Sequence, residues 1–333
     1  MRIVVDAFGG DNAPSAVIEG AYKAHAEYSK KYKFQIILVG DKKKLLSQYS
    51  NLEHHFEIIH ADGVMEIEDD PMLIRTAKSG TSMGVAFDLL KKDSADAMVS
   101  AGSTAALMVG GSMVVGRIKG IKRPALSPIM PSISGNYIIL DGGSNLECRP
   151  EMLLQFAVMG GIYMNKIEGI KKPRIGLLNI GTEEEKGREL ERETYKLLRE
   201  KAGILNGEFI GNVEAREVPL GACDVIITDG FTGNMFLKTV EGMGVFMKQS
   251  LRGLFAKNAA TKIGYLLSKS GVEDVRRKTD YRETGGAPLL GTAKPVIKAH
   301  GSSDALAFKN AIRQALEFVN SGAIDEIERA VSK

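Results

Sequence analysis

Tryptophan is absent from the 333 residues, and cysteine occurs only at Cys148 and Cys223. Two cysteines allow at most one bridge, and neither sits in a C-x-x-C pair. A disulfide framework and a multi-cysteine zinc site are therefore excluded. Such sparse thiols suit a reducing, cytoplasmic compartment. No apolar signal core follows Met1-Arg2, which points the same way. A dominant charge sign is missing too: 44 Lys and Arg face 41 Asp and Glu, for a net charge of +3. That balance, without a basic stripe, argues against nucleic acid as a partner. Long apolar runs are lacking, with one apparent exception. Residues 97–116 carry no charge, which is spanning length, but four glycines, three serines and a threonine interrupt them. A buried strand followed by a buried helix is expected there.

What is present is an ordinary globular composition, 44% hydrophobic and 26% charged. The length is enough for one large α/β domain or two smaller ones. Short β-branched runs at Ile3–Asp6, Gln35–Val39, Phe56–Ile59, Ala97–Ser100, Ile138–Asp141, Arg174–Leu178 and Val225–Thr228 read as strands. Several are apolar throughout, as in parallel strands covered on both faces. Helical patterns at Ser15–Lys31, Thr81–Lys92, Glu151–Ile167 and Glu189–Lys201 lie between them. This alternation predicts a doubly wound, mostly parallel α/β sheet. No linker or repeat marks a boundary, so a single domain over residues 1–333 is expected, with a helical excursion at about 231–280.

Ligands of such sheets bind beyond the carboxyl ends of strands. Five predicted strand ends run into glycine with Ser, Thr or Asn: Asp6-Ala-Phe-Gly-Gly-Asp-Asn-Ala-Pro14, Ser100-Ala-Gly-Ser-Thr104, Asp141-Gly-Gly-Ser-Asn145, Asn179-Ile-Gly-Thr-Glu-Glu-Glu-Lys-Gly187 and Asp229-Gly-Phe-Thr-Gly-Asn234. Each alone could be a tight turn. Together, exposed amides at helix N-termini with small hydroxyls beside them form an anion site. Gly9-Gly10 lacks the third glycine of a dinucleotide fingerprint, and no P-loop exists, so no nucleotide cofactor is expected. There is no G-x-S-x-G elbow, and no metal-ligand pattern. Lys186, and Lys238 one turn after Asn234, are candidates for neutralising phosphate. His300, in Ala299-His-Gly-Ser-Ser-Asp304, is the histidine best placed to face the site; His25, His54, His55 and His60 read as solvated or structural.

These six motifs, taken in order, closely resemble the bacterial phosphate acyltransferases of phospholipid synthesis, the PlsX family. The likeness spans essentially the whole chain, and Phe8, where methionine is more usual, is its one visible departure. The resemblance implies a fold similar to phosphotransacetylase and the isocitrate/isopropylmalate dehydrogenases, usually as a homodimer. It implies transfer of a long-chain acyl group from acyl carrier protein to inorganic phosphate. The acyl phosphate would feed a membrane acyltransferase downstream. The implied phosphate-binding residues are Asp6, Gly9, Gly10, Asn12, Ser103, Thr104, Asn145, Thr182, Ser302 and Ser303. The catalytic candidates are Lys186 or Lys238 on phosphate, Asn234 on the oxyanion, and His300 as donor to the leaving thiolate. Residues 240–267 hold no acid after Glu241 and mix apolar side chains with Lys248, Arg252, Lys257 and Lys262. Such a surface suits a dimer contact or an anionic membrane, with Leu254 and Phe255 at the expected tip of membrane contact. Acyl carrier protein is acidic, and either Lys119-Lys122-Arg123 or Arg188-Arg192 could receive it. A phosphotransacetylase using short acyl-CoA, a dehydrogenase, and a non-catalytic adaptor are the rival readings.

Overall fold

The computed structural model describes residues 1–278 and 280–332. Its strands, in chain order, are β1 Arg2–Asp6, β2 Gln35–Gly40, β3 Glu57–His60, β4 Ala97–Ser100, β5 Ala125–Leu126, β6 Ile129–Ser132, β7 Gly135–Leu140, β8 Arg174–Asn179, β9 Glu208–Glu214, β10 Val225–Ile227, β11 Gly286–Leu290 and β12 Val296–Ala299. They form two sheets, ordered β3-β2-β1-β4-β12-β11-β5 and β6-β7-β10-β8-β9. Each is mostly parallel, with antiparallel pairing confined to β12-β11-β5 and to β6-β7. The parallel α/β architecture agrees with the sequence reading, but the strands divide between two sheets.

The division follows from the chain path. Strands β1 to β5 belong to the first sheet, residues 129–227 build the second, and β11 and β12 return to the first. The returning strands are short and bounded by glycine and proline, which hid them from a pattern of apolar runs. Ile3, Val4 and Val5 in β1 and Ile138, Ile139 and Leu140 in β7 are fully buried, as parallel strands covered on both faces require. One apolar cluster runs from Ile3 and Val5 through the helix Pro150–Lys166 to Ile175 and Val225, so the sheets share packing. Helix Ser15–Tyr28 lies on helix Ala305–Ser321, where a Cβ on Gly20 would stand 2.5 Å from Phe308 Cβ. That contact explains why the helix interior tolerates glycine.

The uncharged stretch resolves into β4, helix Thr104–Gly110 and a short π-turn at Gly111–Val115. No helix among the described residues is long and apolar enough to cross a membrane. Residues after β10 form two helices, Gly230–Ala256 and Ala259–Lys278.

Candidate active site

Strands β1, β4 and β12 are adjacent and parallel, so the loops after Asp6, Ser100 and Ala299 meet at one rim. Asp6 is only 1% exposed. Its carboxylate accepts from Ser100 Oγ at 2.7 Å and from the Phe8 amide at 3.3 Å. Burial nevertheless pushes its pKa above the usual carboxylate range. Ser100 Oγ in turn accepts from the Gly102 amide at 3.1 Å. A Cβ on Gly9 would lie 2.5 Å from Asp6 Oδ2 and 2.8 Å from Gly102 N. Gly10 has φ +100°, and a Cβ there would meet Ala101 Cβ at 2.8 Å. The two loops therefore close on each other only because these positions are glycine.

The third loop is stitched to the first. The Asp11 amide donates to Gly301 O at 2.8 Å, and Asn12 Nδ2 donates to the carbonyls of Ser302 and Ser303. His300 Nδ1 and Ser302 Oγ are 2.8 Å apart. Partial desolvation of the His300 ring holds its pKa below the ordinary histidine value, and the charge of Lys238 acts in the same direction. Ser303 is 1% exposed, and its Oγ has no hydrogen-bond partner among the described residues. Ser103 Oγ caps helix Thr104–Gly110 by accepting from the Ala106 amide, while Thr104 is exposed.

Sequence reasoning missed Lys298, which lies at the end of β12. Its Nζ donates to Ala101 O at 3.3 Å and to Ala299 O at 2.5 Å. Burial lowers its pKa to about 8, against the attraction of Asp11 and Asp6. The available signal was a lysine breaking the apolar run Val296-Ile297-Lys298-Ala299 just before a glycine-serine loop.

The second sheet builds its own rim. Fully buried Asp141 accepts from the amides of Leu126, Gly143, Ser144 and Asn145, from Ser144 Oγ, and from Asn145 Nδ2. Asn145 Nδ2 also donates to Pro124 O at 2.8 Å, which commits both of its amide protons within the fold. Asn234 is beside Gly143, within 3.4 Å of where a Cβ would stand. Asp229 accepts from Thr232 N at 2.7 Å at the start of helix Gly230–Ala256. Arg188 bonds to both Asp229 and Glu191, and Arg192 donates to Gly187 O. Arg188 thus ties the loop after β8 to helix Gly230–Ala256, while its side chain stays 62% exposed and Arg192 is exposed.

Helix Gly230–Ala256 links the two rims. Lys238, paired with Glu241 at 2.8 Å, lies close enough for its charge to act on His300 and Lys298. The structure therefore gathers Asp6, Gly9, Gly10, Asn12, Ser103, His300, Ser302 and Ser303 at one rim, with Lys238 facing it. Asn145 and Asn234 sit together at the other. Thr182 and Lys186 are exposed on the loop after β8, and their side chains share no hydrogen bond with either group among the described residues. Lys119, Lys122 and Arg123 are exposed on the segment leading to Pro124, beside Asn145. Burial pushes both thiols, Cys148 and Cys223, up to about 12. No group of acids, histidines and cysteines among the described residues could hold a metal.

On the remote helices Leu254 is 53% exposed, whereas Phe255 turns inward against Tyr265, with ring centroids 5.3 Å apart.

The model of a family described as "Fatty acid synthesis protein" matches residues 1–326. Proteins named phosphate acyltransferase are similar over the whole chain. The one from Alkaliphilus oremlandii is 46% identical, covering 100% of this chain and 98% of the relative. That from Bacillus subtilis is 42% identical with the same coverage. Among solved structures, the EutD phosphotransacetylase from Staphylococcus aureus aligns with TM-score 0.58 at 17% identity, covering 98% of this chain and 94% of that one. A phosphotransacetylase from Streptococcus pyogenes aligns with TM-score 0.59 at 19% identity and equal coverage. At such identity the structural likeness speaks for the fold alone.

Proposed function

The chain belongs to the phosphate acyltransferase family, and on that premise we propose that its acyl donor is a long-chain acyl group carried by acyl carrier protein. The protein is an acyltransferase that transfers an acyl group to inorganic phosphate. Its chemistry needs no side-chain nucleophile, because an oxygen of hydrogen phosphate attacks the thioester carbon. The tetrahedral oxyanion then collapses, the C–S bond breaks, and the phosphate proton leaves with sulfur as the thiol. The protein's task is to hold phosphate against the carbonyl and stabilise the oxyanion. Two protonated thiols fit that division of labour.

The observation that carries the carrier-protein reading is the exposed run Lys119, Lys122 and Arg123, which ends at the Pro124 carbonyl bound by Asn145. Basic side chains leading straight into the site suit an acidic protein that must deliver a tethered acyl group. Within the site, His300 and Lys238 face the first rim and Asn234 the second, which supports roles for them on the leaving group, phosphate and oxyanion. We assign the exposed apolar residues Met243, Phe246 and Met247 to a contact with a second copy. Leu254, flanked by exposed Arg252 and Lys257, is assigned to an anionic membrane surface. An amphiphilic acyl phosphate is best released there to a membrane acyltransferase.

Palmitoyl acyl carrier protein, palmitoyl-CoA and acetyl-CoA, compared at fixed phosphate with hydroxylamine trapping, test the donor. Preference for the carrier protein is expected. Equal or better use of acetyl-CoA would transfer the reading to a phosphotransacetylase.

A further inference from the structure

Buried ammonium groups are ordinarily paired with a carboxylate, because desolvating an unpaired charge is expensive. Lys298, a partly buried lysine, departs from that pattern. Its Nζ is held by two neutral carbonyls, those of Ala101 and Ala299, and no carboxylate forms an ion pair with it among the described residues. Two of its three protons are thereby committed, and the charges of Asp11 and Asp6 reach it without a direct bond. Asp6, a buried acid whose charge reaches the lysine, already accepts from Ser100 Oγ and the Phe8 amide.

The position of this charge matters as much as its isolation. The Ala101 carbonyl belongs to the loop after β4, and Ala299 to the loop after β12. Those two loops and the one after β1 make the rim closed by Gly9 and Gly10. We infer that Lys298 is a catalytic residue whose missing counter-ion is the phosphate substrate, bound on the first rim between Gly9-Gly10, Gly102 and the loop 300–303. The inference deepens the acceptor half of the proposed function and rests on it. No covalent step passes through the lysine, which binds and orients the nucleophile.

The groups facing Lys298 set the pH test. From the β1 loop they are Asp6 and Asp11, from helix Gly230–Ala256 Lys238, and from its own loop His300, on which Glu241 and Lys238 act in opposite directions. Asp6 and Asp11 favour the charged lysine, Lys238 opposes it, and burial dominates to leave Lys298 near 8. Anion binding needs the protonated amine, so kcat/KM for phosphate, which reports the free enzyme, falls as pH rises through about 8.

The test compares wild type with Lys298→Met, Lys298→Arg and Lys238→Met. Turnover is measured against phosphate from neutral pH upward, and phosphate binding is read separately from the rise in Tm that phosphate produces. Lys298→Met is expected to lower kcat/KM for phosphate roughly tenfold to a hundredfold, the worth of one charge-assisted contact. KM for the acyl donor should move by less than about twofold, and Tm without phosphate should be roughly held, since a partly buried charge without an ion pair is removed. Lys298→Arg should keep binding and displace the alkaline fall well upward; Lys238→Met removes a neighbouring positive charge and should move that fall only slightly upward.

Wild-type kcat/KM for phosphate, or a wild-type phosphate-induced Tm rise, in Lys298→Met overturns the assignment. If that variant does not fold, an unmoved alkaline fall in Lys298→Arg overturns it equally. A phosphate-induced Tm rise lost in Lys298→Met, with no wild-type turnover on any acyl donor, would keep the phosphate site and sink the acyltransfer reading instead.

Discussion

Asp6 and Asp141 occupy matching places, each a buried carboxylate at the end of a parallel strand and followed by glycines, one per sheet. Their surroundings differ. Asp141 receives hydrogen bonds from four residues, Leu126, Gly143, Ser144 and Asn145. Its partner Asn145 is committed as well. Asp6 receives few, and beside it stand the unpaired Lys298 ammonium and the unpartnered Ser303 hydroxyl. The Asp141–Asn145 network of the second rim is therefore internally satisfied, and the first rim is a polar surface short of a partner. The same sequence grammar serves both, and only the destination of each hydrogen bond separates them.

The sharpest way to break this contrast is Asp141→Ala. It strands several buried donors at once, and an unfolding free energy lower by roughly 3–5 kcal/mol is expected from urea denaturation. Asp6→Ala should cost only about 1–3 kcal/mol by the same measurement, while reducing turnover far more than stability explains. Equal losses at the two sites would erase the distinction between scaffold and reactive rim. Next in size is Gly10→Ala, which forces a side chain into φ +100° against Ala101. A destabilisation of about 1–3 kcal/mol with loss of phosphate-dependent rate should follow, visible in paired melting and kinetic assays.

A smaller effect sharpens the comparison from the other side. Reversing Lys119, Lys122 and Arg123 to glutamate should raise KM for acyl carrier protein about tenfold, leave KM for phosphate alone, and barely move Tm. A phosphate effect there would mean the basic loop belongs to the anion site. The smallest change is predicted for Cys148→Ala combined with Cys223→Ala. With both thiols near 12, neither is a thiolate at neutral pH, so turnover should stay within about twofold.

Much of the fold was legible because β1, β4, β7 and β10 are apolar runs bounded by glycine, the signature of strands buried on both faces. The split into two sheets was not, since it depends on which strands pair across more than a hundred residues, and short β11 and β12 carry little pattern. For the site, the glycine-serine loops were readable as an anion nest. Which asparagine or serine keeps a donor to offer was not: Asn145 and Asn12 look available in sequence and are committed in the fold. Lys298 was hidden because a lysine in a strand reads as an edge or a face, and only tertiary packing shows that it is partly buried against two carbonyls with no carboxylate bonded to it. Phe255, named for the tip beside Leu254, is half-buried against Tyr265, which arrives from another helix.

The central claim is that this chain joins a carrier-bound acyl group to phosphate, and the most direct measurement is thiol release from palmitoyl acyl carrier protein as phosphate is titrated. The account predicts saturable, phosphate-dependent release with one acyl phosphate trapped by hydroxylamine for each thiol freed. Release independent of phosphate, or none at saturating phosphate, would contradict it.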